Sequence, residues 1–224
     1  IELAVPHLVR ALAPRVHTVV LAAGEAPDAL WLARFRAGLG ALPFVVRLEA
    51  ALGYVADRRI TPANRTRRLR KFFAELLAGP AGGNIVWVHN PGLGRNPALA
   101  RTLAQVCTAR RQPLVFHHHD WWFDNRWQRW PEMRRHGFPS LARVAQAIFP
   151  TGPQVRHVAI NQADARILRR HFGRAAGWLP NPADLASPPS AARGREVRQW
   201  LKTQLGENAP IWLVPCRLLR RKNV

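Results

Sequence analysis

The sequence predicts an α/β protein in which a Rossmann-like parallel sheet is flanked by helices. Short apolar runs with strand character alternate along the chain with helical segments of about ten to fifteen residues, a pattern typical of parallel sheets that are covered on both faces. The chain has 224 residues and a hydrophobic fraction of 48%. It is therefore long enough to bury a sizeable core and too apolar for a disordered protein.

The helices are predicted from apolar residues at helical spacing and from the residues that begin and end them. Asn96 followed by Pro97 indicates a helix start, and Gly79–Pro80 ends the preceding helix. Strands are predicted where short β-rich or apolar runs lie between turn residues. In chain order we predict a helix over 3–13, a strand over 16–22, a helix over 27–38, a strand over 43–48, a helix over 62–78, a strand over 85–89, a helix over 96–111, a strand over 113–119, a helix over 140–149, a strand over 155–160, a helix over 161–172 and a strand over 176–179.

One shift in composition suggests a domain boundary. Residues 180–195 contain four prolines and little apolar content, which is typical of a linker. We therefore predict a first domain over 1–185 and a second over 186–224, the latter opening with a helix over 193–205 and a strand over 210–215. The chain begins without Met in what reads as the middle of a fold, so we expect both ends to be truncated.

The net charge of +21 predicts attraction to polyanions. Candidate partners are an anionic membrane, an acidic glycan or glycolipid, a nucleotide-sugar and nucleic acid. No helix-turn-helix, zinc or RNA-recognition pattern supports nucleic acid, and no apolar run reaches the length of a membrane span. The two cysteines, Cys107 and Cys216, lie in apolar contexts, which favours buried, reduced thiols and a cytoplasmic location.

Polar residues follow several predicted strands, where open α/β sheets bind their ligands. After the strand over 85–89 the chain continues through His89 and Asn90 to a Gly-Leu-Gly turn and Arg95. This turn leads into a helix N-terminus, which suits an oxyanion or a hydroxyl group. An ordinary strand–helix loop explains the same residues.

The densest polar segment follows the strand over 113–119. At strand spacing His117 and His119 share one face and His118 lies on the other. A metal site formed by two of these histidines and Asp120 is one interpretation, but alternating histidines on one strand have poor reach for tetrahedral ligation without a further ligand. Histidines that form hydrogen bonds at the sheet edge are the simpler alternative.

The loop over 121–138 holds four of the nine tryptophans. Trp122, Asp124 and Arg126 lie at its start, and together they suit a sugar, because aromatic faces pack on sugar rings while carboxylate and guanidinium groups meet the hydroxyls. A membrane interface, a nucleic-acid strand and simple packing remain alternatives. Asn161, at the end of the strand over 155–160, fits either a helix N-cap or a ligand contact.

Two C-terminal segments together carry a family resemblance. One is Leu179-Pro-Asn181-Pro-Ala-Asp184, and the other, over 211–224, is an apolar run of strand character followed by a basic turn. They resemble the hinge, with Pro182 replacing the usual Gly, and the first strand and turn of the donor domain in glycosyltransferase family 4, the retaining GT-B enzymes. In that family an Arg and a Lys after the strand bind the sugar-nucleotide diphosphate, and Arg217 and Lys222 occupy those positions.

The resemblance also implies roles for the N-terminal half. His119 matches a histidine that faces the reacting sugar, with Asp120 beside it, and both are expected to be catalytic. His89, Asn90, Arg95, Trp122, Asp124, Arg126 and Asn161 are expected to contact the acceptor, and Asn181 and Asp184 to form the hinge. The resemblance implies no cofactor and no divalent metal. It also implies no separate catalytic base, because in that family the donor phosphate itself is assigned the deprotonation of the acceptor.

The expected function is the transfer of a hexose from a nucleotide-sugar to a cell-envelope glycan or glycolipid, in the cytoplasm or at the inner face of the plasma membrane. The family's paired-glutamate motif would lie beyond Val224, so these residues alone are expected to be inactive. One alternative is a non-catalytic basic α/β module that binds anionic membrane or nucleic acid. Another is a GT-B-type epimerase that binds the sugar-nucleotide diphosphate through the same two basic residues.

Overall fold

The computed structural model describes residues 4–12, 15–55, 60–79, 83–123, 127–173, 176–181 and 191–206. Within these ranges the protein is α/β, with parallel sheets flanked by helices, as the sequence predicts. The helices are α1 (Ala4–Leu12), α2 (Ala29–Leu39), α3 (Pro62–Leu76), α4 (Pro97–Ala109), α5 (Trp130–Arg135), α6 (Leu141–Ile148), α7 (Gln162–Phe172) and α8 (Ala191–Leu205). The strands are β1 (Val19–Ala23), β2 (Phe44–Leu48), β3 (Val86–His89), β4 (Leu114–His118), β5 (Val155–Ala159) and β6 (Ala176–Trp178).

The described strands form two parallel sheets rather than a single sheet. β1 pairs with β2, and the second sheet has the order β3-β4-β5-β6. All carboxyl ends of the second sheet therefore lie at one edge. The register places His89 of β3 opposite His117 of β4, and Phe116 of β4 opposite His157 of β5.

The core lies between the second sheet and helices α3, α4 and α6. Its members are apolar residues that repeat at helical spacing on the helices and alternate along the strands. Cys107 of α4 is fully buried among them, as predicted. The larger buried apolar side chains of this core are Leu69, Phe73, Leu77, Leu103, Leu114, Phe116, Trp122, Met133, Phe138, Val144, Ile148 and Val155.

A short turn over Ala50–Leu52 connects β2 to the site region. The buried guanidinium of Arg65, on α3, donates to the carbonyl oxygens of Ala51 and Gly53 at 2.8 and 3.1 Å. The side chain of Asn96 donates to the same two carbonyls at 2.9 and 2.8 Å. These hydrogen bonds fix the loop between β3 and α4 against the chain that follows β2.

The chain divides into two compact units, Ile1–Pro182 and Ala183–Val224. In the second unit the structure describes residues 191–206, which form α8 and the residue after it. The predicted strand over 210–215 and Cys216 lie outside the described residues. In the part of the chain that is described, the helices are too short or too polar to cross a membrane.

Candidate functional site at the carboxyl ends of β3 and β4

Three histidines meet on one face of the second sheet. His89 ends β3, His117 lies opposite it on β4, and His119 follows two residues later on the same side. One ring nitrogen from each lies within 4.8 Å of the others. The ring centroids of His117 and His119 are 4.4 Å apart, and His89 lies 5.5 and 5.8 Å from them. The predicted shared face of His117 and His119 is therefore confirmed, and His89 joins them.

The nitrogens of this three-histidine cluster are buried and largely unpartnered. The Nε2 of His117 donates to the carbonyl oxygen of Leu179 at 3.1 Å, so Nδ1 carries the lone pair. Within the described residues no hydrogen-bond partner reaches His117 Nδ1, either ring nitrogen of His89, or His119 Nε2. Buried polar atoms are normally paired, and leaving one unpaired costs about 1–3 kcal/mol. The cluster therefore has a free-energy cost that packing alone does not explain.

Burial keeps these imidazoles neutral. It lowers the pKa of His89 to about 3 and that of His119 to about 4, and each ring also repels positive charge on its neighbours. The pKa of His117 is lowered too, again chiefly by burial, although the Leu179 carbonyl partly opposes the change. At neutral pH the cluster thus presents neutral rings with lone pairs.

The opposite face of β4 holds a second histidine pair with a different arrangement. The Nε2 of His157 donates to the Pro150 carbonyl at 2.9 Å, so its Nδ1 accepts from the Nε2 of His118 at 3.0 Å. Both rings are buried and stack on Phe116. Burial also lowers the pKa of both histidines. This relay joins β4, β5 and the chain after α6, which is the sheet-edge hydrogen bonding that the sequence offered as an alternative.

Asn90 holds the loop that carries His119 and Asp120. Its side-chain oxygen accepts from the backbone N–H groups of His119 and Asp120 at 3.3 and 3.0 Å, and its amide donates to the Asp120 carboxylate at 3.2 Å. Asn90 has a left-handed backbone (φ 55°), which asparagine tolerates better than most residues. The structure thus gives Asn90 a positioning contact with both expected catalytic residues.

The Gly-Leu-Gly turn allows close packing against the same loop. A Cβ on Gly92 would lie 2.7 Å from the Asp120 carbonyl oxygen and 2.9 Å from His118 Nδ1. The N–H groups of Leu93 and Gly94 bond to carbonyls within the turn, and the Leu99 N–H bonds to the side chain of Asn96. These groups therefore close the turn and cap α4, as the ordinary-loop interpretation predicts.

Arg95 is half-buried and Trp122 is buried. The guanidinium of Arg95 stacks over the Tyr54 ring at 4.2 Å. Trp122 is only 5% exposed and packs against Trp127 and Trp130, so it anchors the loop from within the core. The aromatic surface of this loop comes instead from Phe123 and Trp127, which are 43% and 54% exposed.

The remaining predicted residues are less central. Asn161 is the N-cap of α7, as predicted, and its side chain accepts from the Asp164 N–H at 2.8 Å. Asn181 is exposed just after β6. Asp124, Arg126, Asp184, Arg217 and Lys222 lie outside the described residues.

Two features were missed by the sequence reasoning. The first is His157. Its position between Val155 and Ala159, at strand spacing on the buried face of β5, was the pattern that could have predicted its burial.

The second is a groove of about 500 Å³ lined by Arg67, Arg70, Arg101 and His136. Burial and the repulsion from Arg70 and Arg143 lower the pKa of Arg101, so positive charge is crowded there. Neither salt bridge in the described structure involves the groove's arginines.

The chain is similar to two curated enzymes. It is 27% identical over 149 residues to mannosylglucosyl-3-phosphoglycerate synthase from Petrotoga mobilis, which covers 62% of this chain and 28% of the relative. It is 30% identical over 146 residues to mannosylglucosylglycerate synthase from Thermotoga maritima, covering 63% of this chain and 30% of the relative.

The chain therefore spans less than a third of the length of either relative. No protein-family profile and no solved structure matches it. Both relatives are named as synthases of mannosylglucosyl conjugates.

Proposed function

We propose that the chain is the acceptor-side part of a retaining family 4 glycosyltransferase that moves a hexose from a nucleotide-sugar to a hydroxyl of an anionic acceptor. The similarity to the two mannosylglucosyl-conjugate synthases carries this proposal. The polar cluster at the carboxyl ends of β3 and β4 supports it, because ligands bind at this edge in open α/β sheets.

The site chemistry suits hydrogen bonding to a sugar. Asp120 is half-buried and is oriented by Asn90, and its carboxylate can accept hydrogen bonds from acceptor hydroxyls. The pKa of His119, about 4, makes this residue a weak base at neutral pH. The lowered pKa therefore argues against proton abstraction by His119, in keeping with a mechanism in which the donor phosphate takes the acceptor proton.

An anionic acceptor fits the charge of the molecule. The arginine groove supports binding of a phosphate or carboxylate, since Arg67, Arg70 and Arg101 are not neutralised by the described acidic residues. The names of the two relatives specify glycerate and 3-phosphoglycerate conjugates, which carry such groups. An acidic cell-envelope glycan or glycolipid also carries phosphate or carboxylate groups. The experiment described below therefore includes acceptors of both kinds.

The donor side of the proposal depends on the family resemblance. Arg217 and Lys222 are proposed to bind the diphosphate without a divalent metal, because two cations at a strand exit stabilise the charge that develops on the leaving nucleotide. Asn181 and Asp184 are proposed to form the hinge before that domain.

The test uses the full-length protein with UDP-, GDP- and ADP-hexoses and two acceptor sets, glucosylated glycerates and anionic glycolipids, with products read by mass spectrometry. We expect transfer from one nucleotide class, lost in the Arg217→Ala plus Lys222→Ala double variant. Asp120→Asn should lower kcat/KM about 10–100-fold, or about 1.4–2.7 kcal/mol. The matched control is Asp28→Asn, an exposed N-cap that asparagine replaces well.

Failure to bind any sugar nucleotide, together with salt-sensitive binding to DNA or anionic vesicles, would overturn the proposal. That result would favour the basic binding module, for which the net charge of +21 is the supporting observation.

A further inference from the structure

The three-histidine cluster has a geometry that the sequence did not reveal. Two alternating histidines on β4 cannot surround a metal ion by themselves. The parallel register brings a third imidazole, His89, from the end of β3 to the same face. The missing ligand is therefore supplied by the neighbouring strand.

We propose that His89, His117 and His119 bind one divalent transition-metal ion, with Zn²⁺ as the best fit. Three imidazoles without a thiolate or carboxylate are a ligand set that suits zinc and its neighbours in the first transition row. The fourth coordination position is left for a water molecule or a substrate oxygen, as in zinc sites with three protein ligands.

The distances are close to those that a metal site requires. Zn–N bonds of about 2.0–2.1 Å place two tetrahedral ligands about 3.4 Å apart, and one ring nitrogen from each of the three histidines lies within 4.8 Å of one from each of the others. The rings therefore have to approach by roughly 1.5 Å at most, which small changes in the side-chain torsions supply.

The hydrogen bonds around the cluster also fit a metal site. Metal-ligating histidines usually donate their second ring N–H to a carbonyl or carboxylate, which fixes the tautomer. His117 does so, because its Nε2 donates to the Leu179 carbonyl and leaves Nδ1 free for the metal. The buried nitrogens of His89 and the buried Nε2 of His119 have no hydrogen-bond partner among the described residues, so no existing bond has to break.

The surrounding loop holds the third ligand in place. Asn90 accepts from the His119 N–H and so ties the end of β4 to the end of β3. On the other face of β4 the equivalent lone pair of His157 already accepts from His118. The contrast supports a ligand for the first cluster, because its three imidazoles converge without bonding to one another, whereas His118 bonds to His157.

The proposal does not depend on the transfer reaction. The family resemblance implies that no divalent metal is needed, at these histidines as well as at the donor diphosphate, and the metal titration tests that expectation at the carboxyl ends of β3 and β4. Failure of the metal test therefore leaves the proposed function standing, and failure of the transfer test leaves the metal site standing.

The experiment is a Zn²⁺ titration of the tag-free, full-length protein after treatment with a chelator, followed by calorimetry at pH 7.5. We expect one Zn²⁺ per chain with a dissociation constant of about 1 µM or below. His89→Gln and His119→Gln should each weaken binding about 100-fold or more. His17→Gln is the matched control, since it removes an exposed imidazole elsewhere and should leave binding unchanged.

Cobalt provides a readout that a purely structural role would not produce. Co²⁺ added to the metal-free protein should give intense visible bands typical of tetrahedral coordination, and these bands should disappear in His89→Gln while circular dichroism shows that the variant remains folded. Absence of stoichiometric binding, or binding of equal strength in the wild type and both cluster variants, would overturn the proposal.

Discussion

Histidine is buried on both faces of β4, but its nitrogens are used differently on the two faces. His118 bonds to His157, which bonds to the Pro150 carbonyl, so the pair ties β4 to its neighbours. On the other face His117 bonds to the Leu179 carbonyl, yet its second nitrogen and those of His89 converge without partners. The paired face also leaves one buried nitrogen, His118 Nδ1, without a hydrogen-bond partner among the described residues. The two faces differ in that His118 and His157 bond to each other, whereas the three rings of the other face converge without bonding to one another.

The largest expected effect comes from acid, which tests whether the paired face keeps its histidines neutral. Above about pH 7 the buried histidines are neutral whether the protein is folded or not. As the pH falls below about 6.5, the unfolded chain binds protons that the folded protein does not, because burial lowers the pKa of His118 and His157 in the fold.

The free energy of unfolding should therefore fall as the pH drops below about 6.5, by at most about 1.4 kcal/mol per pH unit for each of these two residues. Urea denaturation at pH 8, 7, 6 and 5 measures this slope, in a window above the range where most carboxylates titrate. A flat profile down to pH 5 would show that the imidazoles charge inside the fold and that the paired face does not keep them neutral.

The next largest effect should come from breaking the paired face. His157→Leu keeps an apolar side chain of similar size but leaves the His118 N–H and the Pro150 carbonyl without their bonds. We expect a loss of about 2–3 kcal/mol in the free energy of unfolding, measured by urea denaturation. His17→Leu, at an exposed position, is the control and should change stability little. A loss under about 0.5 kcal/mol would show that the relay does not stabilise the fold.

The smallest effect should come from the converging face. His89→Leu removes two buried nitrogens that have no partner in the described structure, so little hydrogen bonding is lost. In metal-free protein we expect a change within about 0.5 kcal/mol, or a gain of up to about 1 kcal/mol. The same denaturation series measures it. A loss as large as that of His157→Leu would erase the difference between the faces.

The sequence predicts the helices and strands well because their apolar spacing and caps are local. Thr61, Asn96, Ser140 and Asn161 each cap the helix that follows them, and the strand ends agree within a few residues. Helix α5 was missed because it lies in the tryptophan-rich loop, where composition favours a surface role over helical packing.

The site is less predictable because it depends on register. The shared face of His117 and His119 follows from strand spacing, but nothing local says that His89 lies opposite His117. Similarly, the sequence predicts that Trp122 contacts a sugar. In the structure, tertiary packing buries this ring against Trp127 and Trp130. Propensity and spacing do not report which strands become neighbours.

The Asn90 contact joins residues that are 29 and 30 positions apart in sequence. These hydrogen bonds form only after β3 and β4 have paired. The entropy lost in bringing the two ends of the intervening segment together must therefore be offset before the bonds can stabilise the fold. The loop that carries Asp120 should consequently be among the later parts of the molecule to order during folding. The amide protons of residues 119 and 120 would then report, through their exchange with solvent, on whether the edge of the sheet is fully assembled.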